Sequence, residues 1–355
     1  LFETPINILS GGVHLQAGFS PDDERLMTLD PGEGFNLAVW DTGTWQRLES
    51  IALPISTVNM AGYAFNSDLS QTAVSYEDGQ ASTWDLDNRE HLADLPGHDG
   101  WVEPFYSPDG ALLATYSSYA DVGKVIIWNP ATGTSTKQVN FDGAITFITL
   151  SPDNRWLAVP IEDEILLWDL NELTGENQPP DTVLHSDGSG IYGLVFTPDS
   201  LQLATGGRDQ TAQIWDVTSG RELYKLGHDA IIGYLAFTPD GSHLVAGAVP
   251  GDLRFWDLTA AGAAELFALA TGDFNYGELS PDGKLLATGQ FDSVVKLWNL
   301  ETGQEEQVFE GHDDTIMVVD FHPHEQQIAT ASMDGSARVW DMLTGQEMLR
   351  VEGHE

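Results

Sequence analysis

Gly311-His312, Phe321-His322-Pro323-His324, Ile328-Ala329-Thr330-Ala331-Ser332-Met333-Asp334, Val339-Trp340-Asp341 and Thr344-Gly345 follow one another within one stretch of the sequence. The same succession echoes upstream. A Trp-Asp or Trp-Asn pair begins at Trp40, Trp84, Trp128, Trp168, Trp215, Trp256, Trp298 and Trp340, at intervals of 40 to 47 residues. Self-similarity at that period marks a repeat architecture, in which each unit buries its apolar face by stacking on its neighbours. A ring of small units also suits 355 residues, more than one ordinary core organises.

Within each period an aromatic or Leu leads into a turn, as in Phe19-Ser-Pro-Asp22, Tyr106-Ser-Pro-Asp-Gly110, Leu150-Ser-Pro-Asp-Asn154 and Phe237-Thr-Pro-Asp-Gly241. Pro presets φ for a turn, and Asp, Asn and Gly accept the tight backbone that follows. Upstream lies an alternating stretch such as Val13 to Phe19; downstream come Leu285 to Gly289, Val294 to Trp298 and Glu305 to Phe309. Four short strands per period, punctuated by Gly and Pro, give an all-β radial or barrel fold.

The Gly-His pairs (Gly97-His98, Gly227-His228, Gly311-His312, Gly353-His354), the Pro-Asp turns, the Trp-Asp ends and the Thr-Gly turns resemble the WD40 repeat family over nearly the whole chain. The resemblance implies an all-β, eight-bladed β-propeller with four antiparallel strands per blade. Residues 1–12 form an N-terminal segment whose Pro5 to Leu9 offers an outer or ring-closing strand, and residues 13–355 form one propeller domain. It also implies a structural network of His, Ser or Thr, Asp and Trp, complete by position in blade 5 (His185, Thr205, Asp209, Trp215) and blade 8 (His312, Thr330, Asp334, Trp340). Blade 3 has His98, Thr115 and Trp128; blade 7 has Thr288, Asp292 and Trp298; blade 6 has Ala246 where the Thr belongs.

Charge narrows the partners. Against 55 acidic residues stand 14 basic ones, a formal net charge of −41. Such a surface repels nucleic-acid phosphates and anionic membranes and attracts basic partners. No apolar run reaches the ~20 residues that span a bilayer. There is no Cys, hence no thiolate metal site. That absence and a start at Leu1 point to an exported chain, extracellular or periplasmic, with the cytoplasm as the alternative.

Nothing in the sequence singles out a reaction. It has no Gly-x-Ser-x-Gly elbow, no phosphate-cradling Gly loop and no calcium loop of the Asp-x-Asp-x-Asp-Gly kind. His322 and His324 make two metal ligands without a third, so no metal site or cofactor is expected beyond loose calcium binding at surface carboxylates. Loops that break the period are the better candidates, since function concentrates on loops held by a rigid scaffold. Asp30 to Gly34, Ser117 to Gly123 and Glu172 to Asp181, the last read as joining blades 4 and 5, are such loops.

The resemblance places the first two loops on the family's usual binding face. The residues expected to bind a partner are Trp101, Glu103, Tyr116, Tyr119, Asp121, Asp30, Glu33, Phe274, Tyr276 and Tyr234. The expected function is a non-catalytic scaffold holding a basic protein or peptide on that face. The alternatives are a structural part of an extracellular or envelope assembly, self-associating through terminal edge strands, and an interaction module cut from a larger multidomain protein.

Overall fold

The computed structural model describes residues 17–19, 24–30, 35–44, 46–53, 60–117, 122–186, 190–248, 251–259, 262–269, 271–272, 274–322, 324 and 326–352. They form eight sheets, each of four antiparallel strands in simple sequence order from inner to outer. Each third strand ends at or beside its tryptophan, as in Ser336–Asp341, and the fourth strand follows the Thr-Gly turn, as in Glu347–Glu352. The ladder slips by one residue just before the tryptophan, at Ile214/Trp215 and Val339/Trp340 among others. Such bulges increase local twist and re-aim the side chain.

The core is divided among the blades. Leu150, Leu157 and Trp168 of blade 4 pack on Phe105, Tyr116 and Ile127 of blade 3. Trp298 and Leu286 of blade 7 meet Phe255 and Leu253 of blade 6, and Trp340 and Phe321 of blade 8 meet Leu297 and Phe309 of blade 7. The ring closes where Leu26 of blade 1 packs on Ala329 and Val339 of blade 8. No blade can bury its apolar faces alone, so stacking is what folds each of them.

The outer strand of blade 8 is the C-terminal Glu347–Glu352. The N-terminal segment read as a second claimant lies outside the described residues. Among the described residues no helix is long and apolar enough to cross a membrane.

Two sequence expectations are corrected here. Glu172 to Asp181 lies inside blade 4, between its third strand Glu164–Asp169 and its outer strand Thr182–His185, and does not join two blades. It is also structural. Leu173 is buried beside Trp168, the Trp168 indole donates to the Gln178 carbonyl at 3.0 Å, and Lys137 Nζ donates to the Leu173 carbonyl at 2.5 Å. Leu173→Ala should cost about 2–4 kcal/mol in a denaturant titration, the usual range for a buried Leu. A loss under ~0.5 kcal/mol would return the loop to the surface class.

Candidate functional site

The tryptophan network is legible atom by atom in blade 8. Trp340 Nε1 donates to Thr330 Oγ1 at 2.9 Å, His312 Nε2 lies 2.8 Å from the same hydroxyl, and His312 Nδ1 lies 2.8 Å from Asp334 Oδ2. An indole only donates, so the Thr330 hydrogen goes to His312 Nε2, and the neutral ring is left to give its Nδ1 hydrogen to Asp334. Burial lowers the His312 pKa and outweighs the opposing pull of Asp334. Burial alone would raise the Asp334 pKa, but hydrogen bonds from Ser336, the Asp313 amide and His312 outweigh it and hold it well below the usual carboxylate range. Arg338, itself buried, completes the cluster by donating Nη1 to Glu347 at 2.8 Å.

The other blades show what each missing member costs. In blade 3, Trp128 Nε1 and His98 Nε2 share Thr115 Oγ1 at 2.7 and 2.8 Å, and His98 Nδ1 is buried without a hydrogen-bond partner. In blade 7, Trp298 Nε1 donates to Thr288 at 2.9 Å, and Gln290 Nε2, in place of a His, donates to the same hydroxyl at 3.2 Å. In blade 6, His228 Nε2 and Trp256 Nε1 are both buried and unpartnered. Ala246 there pairs with Arg254 as Thr330 pairs with Arg338, so it holds the slot of the missing hydroxyl.

Blade 5 departs from expectation. Trp215 Nε1 donates to Thr205 at 3.1 Å, but His185 sits on the outer strand of blade 4, exposed, with Nδ1 3.3 Å from Glu164. Asp209 bonds its own turn at Thr211. The register explains it. His98, His228 and His312 each precede the first paired inner-strand residue (Val102, Ile232, Ile316) by four positions, whereas His185 precedes Ile191 by six.

The same register sorts the expected partner-binding residues. Phe274 pairs with Gln290 as Ile232 pairs with Ala248, which puts it in the buried slot, 0% exposed. Trp101 comes one residue before that slot and is half-buried, donating Nε1 to Glu103 Oε1 at 2.8 Å. A one-residue slip turns a strand side chain to the other face. Tyr116, Tyr234 and Tyr276 are core residues as well, with Tyr234 edge-on to Phe274 at 6.1 Å between ring centres. Phe274, Tyr116, Tyr234 and Tyr276 are therefore buried in the packing between strands and blades. Glu103 is half-buried, and burial raises its pKa against the bond from Trp101. Tyr119, Asp121 and Glu33 lie outside the described residues, and Asp30 ends the second strand of blade 1.

Antiparallel order puts the turns between second and third strands at the same end of each blade as the connections that enter the next inner strand. On this upper face four large apolar side chains stand exposed on consecutive blades. They are Tyr192 of blade 5 (42%), Ile231 entering blade 6 (40%), Phe291 in a blade 7 turn (49%) and Met333 in a blade 8 turn (62%). Exposed Asp229, Asp292, Asp313 and Asp314 lie among them. Arg208 reaches over the Tyr192 ring, 5.7 Å from its centre, and donates Nε to its hydroxyl at 2.8 Å. The sequence held a signal for two of these residues. Glu77, Arg208, Phe291 and Met333 occupy one turn slot just before an Asp, where an apolar residue is out of pattern.

His322 is buried, and its Nδ1 accepts from the His324 amide at 3.3 Å. Among the described residues no group of three or more His, Asp or Glu is placed to hold a metal ion.

Comparison with known proteins agrees with this architecture. The family described as WD40, WD domain G-beta repeat, matches residues 179–216, 220–257, 274–299 and 303–341. The chain is 28% identical over 144 residues to small ribosomal subunit protein RACK1y of Oryza sativa subsp. japonica, covering 40% of this chain and 42% of that one. It is 26% identical over 206 residues to Protein groucho of Drosophila melanogaster, covering 58% of this chain and 27% of that one. The chain thus matches less than half the length of either relative. In three dimensions it is similar to the computationally designed Ika8 protein, with a TM-score of 0.76 and 20% identity over 94% of this chain and 98% of that one. It is similar too to the C-terminal WD40 domain of Sif2, with a TM-score of 0.73 and 18% identity over 94% and 97%. With four segments matched as WD40 repeats and every described sheet a four-stranded blade, the chain is an eight-bladed β-propeller that carries WD40 repeats in its second half.

Proposed function

We propose that this propeller is a non-catalytic interaction scaffold that holds a protein or peptide segment on its upper face, and that the segment is basic with apolar anchors. The observation that carries the reading is the run of Tyr192, Ile231, Phe291 and Met333, exposed on four consecutive blades among carboxylates. Contiguous exposed apolar side chains mark interaction sites, and aromatic residues and Met are enriched at interfaces. The surrounding acids, and the −41 of the whole chain, steer a cationic partner and reject an anionic one. The His312, Thr330 and Asp334 trio, which on paper invites a hydrolase, supports the scaffold instead. It is buried, and both ring nitrogens are already committed within the blade. The scaffold needs no cofactor. An acidic, Cys-free surface suits an exported setting.

The test is an array of peptides that alternate Lys or Arg with Leu or Phe, probed with the whole chain. Phe291→Ser with Met333→Ser should reduce capture at least ~10-fold, since interface anchors are worth more than ~1.4 kcal/mol. Melting should be unchanged, and added salt should slow capture of the wild type. Capture by the double variant at wild-type strength, or preference for acidic peptides, would overturn the reading.

A further inference from the structure

The upper face displays the most open sulfur atom of the chain. With no Cys, all sulfur is in six methionines: Met27, Met60, Met317, Met333, Met342 and Met348. Their surroundings differ widely. Met27 is 3% exposed in the cluster of Val39, Ile51 and Trp84, and Met342 is 7% exposed in the cluster of Trp340. Met60 is half-buried against the first of these clusters, and Met317 is half-buried with its Sδ 3.8 Å from Asn275 Nδ2. Met333 is 62% exposed and Met348 41%. A thioether in the core meets a dissolved oxidant only when its blade opens. Met333 meets it directly.

At Met333 a change in the side chain is felt by a partner and not by the fold. The residue lies in the turn between Gln327–Ser332 and Ser336–Asp341, in the exposed apolar run with Tyr192, Ile231 and Phe291. The backbone beneath it is fastened. The Met333 amide donates to the Thr315 carbonyl at 2.9 Å, Ser332 Oγ donates to the Asp314 carbonyl at 2.8 Å, and the Asp334 amide donates to Ser332 Oγ at 3.1 Å. None of these bonds uses the thioether, so it can change polarity while blade 8 stays folded. Met348, by contrast, is at the start of the outer strand Glu347–Glu352, at the opposite end of the blade from the upper face.

We propose that Met333 is a reversible oxidation site at which a hydroperoxide switches off capture on the upper face; the switch rests on the reading of that face as the binding surface. The Sδ lone pair takes the terminal peroxide oxygen. The S–O bond forms as the O–O bond breaks, sulfur gives up two electrons, and the other oxygen takes up a proton and leaves as water or an alcohol. The sulfoxide is polar and chiral where a flexible apolar side chain stood. Burying its oxygen against the apolar anchor of a partner carries a desolvation cost that the thioether did not. A thiol-dependent methionine sulfoxide reductase reverses the change, the oxygen leaving as water.

The test treats the whole chain with hydrogen peroxide, locates sulfoxide by peptide mass mapping and measures capture of the peptides that alternate Lys with Leu. Met333 should oxidise at least ~10-fold faster than Met27 and Met342, because oxidation follows exposure. As its sulfoxide accumulates, capture should fall at least ~3-fold with the melting temperature unchanged, and sulfoxide reductase should restore it. In Met333→Leu, peroxide should no longer alter capture. Met348→Leu should match the wild type both in capture and in its loss under peroxide. The order of oxidation is read without any peptide, and Met27 or Met342 oxidising as fast as Met333 would overturn the site. If the untreated chain captures no such peptide, the reading of the upper face fails and the switch fails with it. Capture that survives complete oxidation of Met333, or that peroxide still abolishes in Met333→Leu, would overturn the switch and leave the binding reading standing.

Discussion

Thr330→Ala is expected to lower stability by about 2–4 kcal/mol, while the reverse change in blade 6, Ala246→Thr, is expected to raise it by about 1–2 kcal/mol. A buried polar group left without a partner costs ~1–3 kcal/mol. Removing the Thr330 hydroxyl strands both His312 Nε2 and Trp340 Nε1. Blade 6 already lacks that hydroxyl: Ala246 holds its slot, and His228 Nε2 and Trp256 Nε1 are buried without partners. The His228 and Trp256 ring centres are 6.3 Å apart, against 6.1 Å for His312 and Trp340, which hold a Thr between them. The gain is set below the loss because a β-branched residue must also fit its methyl into a packed layer. Paired denaturant titrations check both changes. Destabilisation by Ala246→Thr would mean that blade 6 has closed around its alanine.

Acidification should destabilise the protein between pH 6.5 and about 4, before most surface carboxylates titrate. Burial depresses the His98 pKa from 6.5 to about 4, helped by Lys124, and depresses that of His228 to about 4, helped by Arg254. The folded-state pKa values are below the unfolded ones, so the unfolded chain binds protons first. The contribution is complete above pH 6.5 and is lost as pH falls through the folded values. At 1.36 kcal/mol per unit the loss is on the order of 3 kcal/mol for each histidine. Melting temperature followed from pH 7 to 4.5 should fall, and His98→Gln with His228→Gln should flatten the slope. A profile that is flat or rises on acidification would show that these rings are already hydrated when folded.

How far the chain could be read depended on how local each feature is. Eight tryptophans at a steady interval were enough for eight blades, and Pro-Asp and Thr-Gly turns were enough for four strands in each, because turn chemistry and strand alternation act over a few neighbouring residues. The hydroxyl slots of blades 3, 7 and 8 followed by counting from the tryptophan. His185 did not. The insertion from Glu172 to Asp181 delays the outer strand of blade 4, so a histidine that looks like the start of blade 5 is still pairing with Glu164.

The sequence alone determined the repeat, the ring and the acidic surface, which rest on composition and on spacing along the chain. Only the tertiary structure decided which side chains that surface displays. Phe274 and Trp101 read alike, yet one is core and the other only half-buried, because a single position of strand register selects the face. Tyr192, Ile231, Phe291 and Met333 lie far apart in the chain and come from the start of an inner strand and from two kinds of connection. They share a face because stacked blades all turn the same ends the same way. Exposure is a property of neighbours, and in a propeller some of those neighbours come from another repeat.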